Sequence, residues 1–289
     1  MKILVFGASG QVGSALAERV KSRTEDWRFV ARNAPGGDFL NLTSVMALLE
    51  REQAEVIVNA AAMTTVDKAQ SSPDVAMIIN AGVPEALAQY AARNHIYLIH
   101  LSTDYVFDGS GTCARTESDA ICPINVYGAS KAAAEEAIFR SKCSACILRL
   151  TWVYGVHHSN FVTETVKKLL SGKSVTAFED QIGSPTLATD VAEVIVKLVD
   201  RHKCAATVTG LYHFANTGYC SRLQCAQFIL NHLGHRALGE VLPIKTAAIQ
   251  LPAKRPLNCR LQTSKIQKAL DFVPRSWQQA IAECVDSFV

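Results

Sequence analysis

The 289 residues contain no long hydrophobic run, no block of like charge and no even cysteine framework, and each absence closes a class of function. The opening apolar run Ile3-Leu4-Val5-Phe6 stops at Gly7. It is too short and wrongly flanked for a signal peptide or a membrane span, so a cytoplasmic protein without a membrane partner is expected. Basic residues number 29 and acidic residues 26, a net charge of +3 with no Lys/Arg run. That excludes the electrostatic footprint of a nucleic-acid binder and leaves a modest bias suited to a small anionic ligand. Nine cysteines, an odd number at irregular positions, point to reduced thiols. The Cys143/Cys146 and Cys220/Cys225 pairs have no second pair at zinc spacing and read as structural. Repeats with a period of roughly 20 to 50 residues are also missing, which excludes a solenoid.

What is present is an alternation of apolar strands and amphipathic helices. Lys2 to Phe6, Trp27 to Ala31, Val56 to Ala60, Tyr97 to Leu101 and Ser144 to Leu150 read as strands. Gln11 to Ser22, Val45 to Gln53, Pro84 to Arg93 and Tyr127 to Arg140 read as the helices between them. This rhythm predicts an α/β fold with a doubly wound parallel sheet of the Rossmann kind. It loosens after about residue 155, where helices at Asp190 to Asp200 and Leu223 to Leu233 alternate with short segments. Residues 1–155 are expected to bind a dinucleotide. Residues 156–289 are expected to form mainly a smaller substrate-binding lobe, part of which returns to the sheet.

The first chemical signal is Gly7-Ala-Ser-Gly10-Gln-Val-Gly13, between a strand and the helix it opens. Gly7 permits the tight turn, Gly10 lets backbone N–H groups approach a pyrophosphate, and Gly13 allows close helix-to-sheet packing. The helix N-terminus adds partial positive charge. After the second strand an acidic residue would accept the ribose hydroxyls of NAD, but Arg32 stands there, and a guanidinium suits a 2′-phosphate. NADPH is therefore the expected cofactor, with NADH the alternative and a solvated loop charge the plain reading of Arg32.

The G-x-x-G-x-x-G spacing resembles the short-chain dehydrogenase/reductase superfamily, which requires a downstream Tyr-x-x-x-Lys. Of the seven tyrosines only Tyr127 has a lysine four residues on, Lys131, and it opens the helix expected after the fifth strand of the alternation. Reducing a ketone by hydride transfer leaves an alkoxide that must be protonated as it forms, a role for Tyr127. A phenol is a weak acid at neutral pH, so Lys131 is expected to stabilise the phenolate and also to hold the nicotinamide ribose. A hydroxyl at the end of the fourth strand would orient the carbonyl. Thr103 is assigned that role, with Ser102 the competing choice because adjacent strand residues face opposite ways.

The resemblance then narrows to the dTDP-4-dehydrorhamnose reductases. It rests on Asn59-Ala-Ala-Ala62, Val66-Asp-Lys-Ala69, Ser102-Thr-Asp-Tyr-Val-Phe107, Asn125-Val-Tyr-Gly128, Arg149-Leu-Thr-Trp-Val-Tyr-Gly155, Gly183-Ser-Pro-Thr186 and Arg255-Pro-Leu-Asn258. By that resemblance Gly10, Gln11 and Val12 line the pyrophosphate, Asp38 and Phe39 the adenine, and Ala62, Met63 and Thr64 the nicotinamide side. Thr103, Asp104 and Trp152 meet the sugar. The run Ala62-Met63-Thr64 departs from the family's usual Ala-Tyr-Thr or Ala-His-Thr. Some members hold magnesium between subunits through a glutamate two residues past the third glycine. Here that residue is Ala15, so no metal is expected and a homodimer is left open.

Asp67-Lys68, Arg149 and Arg255 also have plain readings as ion pairs, and His157-His158 as part of an exposed loop. Two alternative functions share the scaffold. One is a nucleotide-sugar epimerase or dehydratase that recycles a retained NAD. The other is a non-catalytic subunit resembling the regulatory subunit of methionine adenosyltransferase, against which the Thr103, Tyr127 and Lys131 set argues.

Overall fold

Alternate residues of the first strand, Lys2–Phe6 (β1), enter two different cores, and this places the sheet at the centre of the molecule. In the computed structural model, which describes residues 1–289, Ile3 and Val5 pack on one face of the sheet. Leu4 and Phe6 pack on the other. That is the period-two geometry of a strand buried on both sides. Asp26–Val30 (β2), Val56–Asn59 (β3), Tyr97–Thr103 (β4) and Ala145–Leu150 (β5) complete the run, and a sixth strand, Gly210–Phe214, joins at the far edge. The spatial order is Gly210–Phe214, β5, β4, β3, β1, β2, with every pairing parallel. The chain leaves β1 in one direction to β2 and then in the other to β3, so the topological switch point lies between β1 and β3. A ligand crevice opens there, at the carboxyl ends of the strands.

Helix Gln11–Arg19 (α1) and helix Ala188–Lys203 cover one face. Leu42–Glu52 (α2) and Val83–Asn94 cover the other. A third core gathers helices Phe161–Leu170, Arg222–Leu233 and Trp277–Asp286. The residues past 155 thus occupy two places. Ala188–Lys203, Gly210–Phe214 and the Ser264–Leu270 helix pack on the sheet, and the remainder builds the third core beyond its carboxyl edge. No helix is long and apolar enough to cross a membrane.

The Tyr127 helix stands one strand earlier in the alternation than expected. Helix Val126–Ser141, which carries Tyr127, comes after the fourth strand and not the fifth. The stretch between β3 and β4 holds no extra strand, because Val66–Ser71, Pro73–Met77 and Val83–Asn94 are all helical. The last two are joined by a π-turn at Ile78–Gly82, a wide turn often found at functional sites. The cysteines are unbridged: Cys146 lies in β5, while Cys220 and Cys225 are buried in the third core.

Candidate active site

The glycine turn after β1 closes so tightly that side chains are excluded from it. Gly7 has φ +87°, and a Cβ on it would stand 2.6 Å from the Ala60 carbonyl carbon after β3. A Cβ on Gly13 would lie 2.0 Å from the Gly7 oxygen, which explains how α1 approaches the sheet. Gly10 is the N-cap of α1 with no side-chain cap, and no acidic residue occupies the first turn. The first N–H groups of α1 therefore remain available to an anion. A cavity of about 270 Å³ runs outward from this turn, lined by Gly7, Gly10, Arg32, Asp38, Phe39 and Ala62 to Thr64. Arg32 and Lys68 both face it, and the chain's ion pairs are made by other cations. Phe39 is fixed by an edge contact with Phe6, ring centroids 5.4 Å apart.

A second cavity of about 430 Å³ shares Gly10, Ala60 to Ala62 and Thr64 with the first. Together they form one cleft within the roughly 300–1,000 Å³ of small-molecule sites. Gln11, Val12, Thr103, Asp104, Tyr127, Lys131 and Trp152 line the second cavity. Every residue singled out from the sequence for cofactor, substrate or catalysis thus lies along this cleft. The loop between its two parts is held by a residue the sequence reading passed over. Asn80, in the π-turn, accepts from the Met63 N–H (2.8 Å) and donates to the Met63 carbonyl (3.1 Å) and to Ser130 Oγ (3.0 Å). It ties the cofactor loop to the Tyr127 helix. Its one sequence signal was a polar residue inside the run Ile78-Ile79-Asn80-Ala81.

Thr103 and Ser102 are separated by their partners. Ser102 Oγ donates to Glu135 (2.5 Å), which also holds Arg149 in a buried pair (2.6 Å). Thr103 Oγ1 donates to Asp104 at 3.1 Å and lines the cleft beside Tyr127. Burial pushes the Tyr127 phenol up to about 12, with the nearby Asp104 adding to the effect and the Thr103 hydrogen bond offsetting part of it. Burial likewise raises Asp104 to about 6 against hydrogen bonds from Cys259, Thr103 and Thr151.

Lys131 is not among the groups that shift the phenol here. Lys131 is 2% exposed, and its Nζ donates to the Leu101 carbonyl (2.6 Å) and to His100 Nε2 (3.0 Å). The ammonium is drawn to the backbone of β4, and desolvation of the phenol decides the direction of the shift. Burial also brings Lys131 down to about 8, with Glu135 opposing. His100 is itself held well below its ordinary value by burial and by Lys131, so it faces the lysine as a neutral acceptor.

The wall opposite is Trp152, whose backbone sits at φ +45°, a conformation bulky residues rarely adopt. Gly183 makes room for it: a Cβ there would meet the indole at 2.7 Å. On its other face lies Arg222, which the sequence reading did not select, with its guanidinium carbon 3.6 Å from the ring centroid. The remaining candidates are structural. Asp67 pairs with Arg255 (2.8 Å), while His157 is exposed and His158 reaches Ser14 Oγ at 3.1 Å.

The residues fit a dinucleotide. The uncapped α1 N-terminus, the two unpaired cations and a buried Gln11 Oε1 with no hydrogen-bond partner all await polar groups from outside the chain. Fold and cleft together define a nicotinamide-dependent enzyme of the short-chain dehydrogenase/reductase type.

Comparison with known proteins narrows the class. The family model of the RmlD substrate binding domain matches residues 1–289. The dTDP-4-dehydrorhamnose reductase of Salmonella typhimurium is 34% identical over 97% of this chain and 96% of its own. The spore coat polysaccharide biosynthesis protein SpsK of Bacillus subtilis is 33% identical over 98% and 96%. A crystal structure of dTDP-4-dehydrorhamnose reductase from Bacillus anthracis in complex with NADP superposes with a TM-score of 0.91. It is 29% identical and covers 99% of this chain and 100% of that one. The chain belongs to the dTDP-4-dehydrorhamnose reductase family.

Proposed function

We propose that this protein reduces the C4 ketone of dTDP-4-dehydro-6-deoxy-L-mannose to dTDP-L-rhamnose with NADPH. The observation that carries the reading is that Thr103, Tyr127 and Lys131 line one wall of a cleft continuous with the glycine turn. When bound, NADPH supplies a hydride. The α1 N-terminus with Gly7, Gly10, Gln11 and Val12 would hold its pyrophosphate, and Asp38 and Phe39 its adenine. Ala62, Met63 and Thr64 would flank its nicotinamide, Lys131 its ribose, and Arg32 a 2′-phosphate.

Thr103 and Tyr127 converge on the carbonyl oxygen, with Asp104 and Trp152 against the sugar. As negative charge develops on that oxygen, Tyr127 gives up its proton to it. A phenol pushed up to about 12 keeps its proton at neutral pH until an alkoxide, a stronger base, forms beside it. Lys131, fixed by β4, is positioned to stabilise the phenolate left behind once a substrate draws the proton away. Residues 1–155 serve the dinucleotide and 156–289 mainly the sugar. Unbridged cysteines support a cytoplasmic setting, and a homodimer would lack a glutamate-bridged metal at Ala15.

The test is NADPH oxidation with the dTDP-linked 4-keto-6-deoxy-L-sugar against its UDP and GDP counterparts. Stoichiometric oxidation with the dTDP sugar is expected. A purified protein that retains NAD and turns over with no net oxidation of NADPH would replace this reading with an epimerase or dehydratase.

A further inference from the structure

Arg222 is the first residue of helix Arg222–Leu233, whose end is fixed by a capping box between Ser221 and Gln224. Its guanidinium lies over Trp152 and extends towards Phe161, 3.6 and 4.9 Å from the two ring centroids. It is half-buried and faces the same cavity as Thr103, Tyr127 and Trp152. No carboxylate, carbonyl or hydroxyl of the chain accepts from it, whereas Arg149 and Arg275 are both tied to carboxylates. A stacked guanidinium with its N–H fork unspent is preorganised for two parallel hydrogen bonds to an anion. The only acid among the groups it faces is Asp104, whose carboxyl oxygens accept from Thr103 and Thr151 and not from Arg222, and its other neighbours are Tyr105, Cys225 and Cys259. Burial depresses Arg222 itself, and none of the chain's ion pairs includes it.

We infer that Arg222, stacked on Trp152, is the anion anchor of the substrate half of the cleft and grips the diphosphate that links nucleoside to sugar. An anion site here follows from the geometry, and its occupant, a nucleoside diphosphate ester, rests on the reductase reading. The arrangement uses the strained Trp152 as a platform. Gly183 supports one face of the indole and Arg222 covers the other, so the ring that would meet the sugar also aims the cation. A diphosphate held there spans the hexose from C1, leaving C4 to reach Thr103 and Tyr127. Binding energy from this non-reacting part of the substrate would then fix the reacting carbonyl.

The experiment titrates NADPH-saturated wild type, Arg222→Leu and Arg222→Lys with dTDP, thymidine and inorganic diphosphate, following binding by calorimetry, and measures NADPH oxidation with the dTDP-keto-sugar. A charge-assisted bidentate contact predicts that Arg222→Leu weakens dTDP and inorganic diphosphate about 10- to 100-fold. Thymidine binding should be unchanged and KM raised far more than kcat is lowered. Arg222→Lys should recover part of the loss, because it restores the charge without the fork. Equal weakening of thymidine and dTDP would mean that Arg222 only shapes the pocket, and unchanged dTDP affinity would remove the anchor; either result overturns the inference. NADPH-saturated wild type that binds neither dTDP nor inorganic diphosphate overturns it as well. If wild type binds these anions in an Arg222-dependent way yet oxidises no NADPH with the keto-sugar, the anion site stands and the reductase reading fails.

Discussion

At the dinucleotide end of the cleft, backbone does the recognising. Gly7 and Gly13 are small because a Cβ would collide with the Ala60 or Gly7 backbone, and the uncapped start of α1 at Gly10 supplies the N–H groups. At the substrate end the wall is made of side chains: Thr103 and Asp104 after β4, Trp152 after β5 and Arg222 from the third core. The first half is a short stretch of chain folded on itself. The second is assembled from distant segments. Scaffolds of this kind can keep one end constant while the other changes its ligand, because replacing a side chain alters the substrate wall without disturbing the turn.

Tyr127 stands where the two halves meet, and its replacement gives the largest expected effect. Tyr127→Phe removes one oxygen from a half-buried ring and should lower kcat by about 10² to 10⁴. NADPH affinity and dTDP affinity should stay within about threefold, as expected for a group that acts only as the bond changes. Single-turnover kinetics with binding measured separately checks this, and a variant retaining the wild-type rate would exclude the phenol as the acid.

The contrast between the halves is also a contrast in legibility. The glycine turn and the Tyr127-Lys131 pair could be read directly, because their geometry is set by neighbours within a few residues. The parallel sheet was readable for the same reason, since each strand is an apolar run bounded by turn residues. What the sequence concealed depends on contacts between distant segments. Arg222 meets Trp152 only because Gly183 lets the indole lie flat, three positions far apart in the chain and joined by no local period. Asn80 works through a π-turn that helical periodicity does not mark. The i,i+4 spacing put Lys131 on the face of Tyr127 but could not show its ammonium turning to the Leu101 carbonyl.

Arg32 tests whether the dinucleotide end relies on any side chain for its choice of cofactor. It is exposed at the cavity mouth, so its contact with a 2′-phosphate is partly screened by solvent. Arg32→Gln should weaken NADPH by about tenfold, within the range of a charge-assisted hydrogen bond, and leave NADH within about twofold. Titration of both nucleotides by fluorescence checks it. Equal affinities of wild type for NADPH and NADH would return Arg32 to the solvated surface.

The smallest effect is one of stability, and it belongs to the substrate end. Asp104 is 3% exposed, and burial raises it from 3.8 to about 6. Between those values the folded protein holds a proton that the unfolded chain releases. Its contribution is therefore complete below about pH 4 and is lost as pH rises through about 6. Each tenfold change in proton affinity is worth ~1.4 kcal/mol, so wild type should forfeit on the order of 1–3 kcal/mol by pH 8. Asparagine carries no charge at any pH, and the Thr103 and Thr151 hydroxyls can rotate to suit its amide. Asp104→Asn should accordingly gain on wild type by that amount between pH 4 and pH 8 in urea unfolding, whatever offset the amide itself introduces. A difference between the two proteins that is constant with pH would mean that Asp104 is ionised in the folded state throughout. In that case the negative charge beside Thr103 would oppose the alkoxide that Tyr127 is placed to quench.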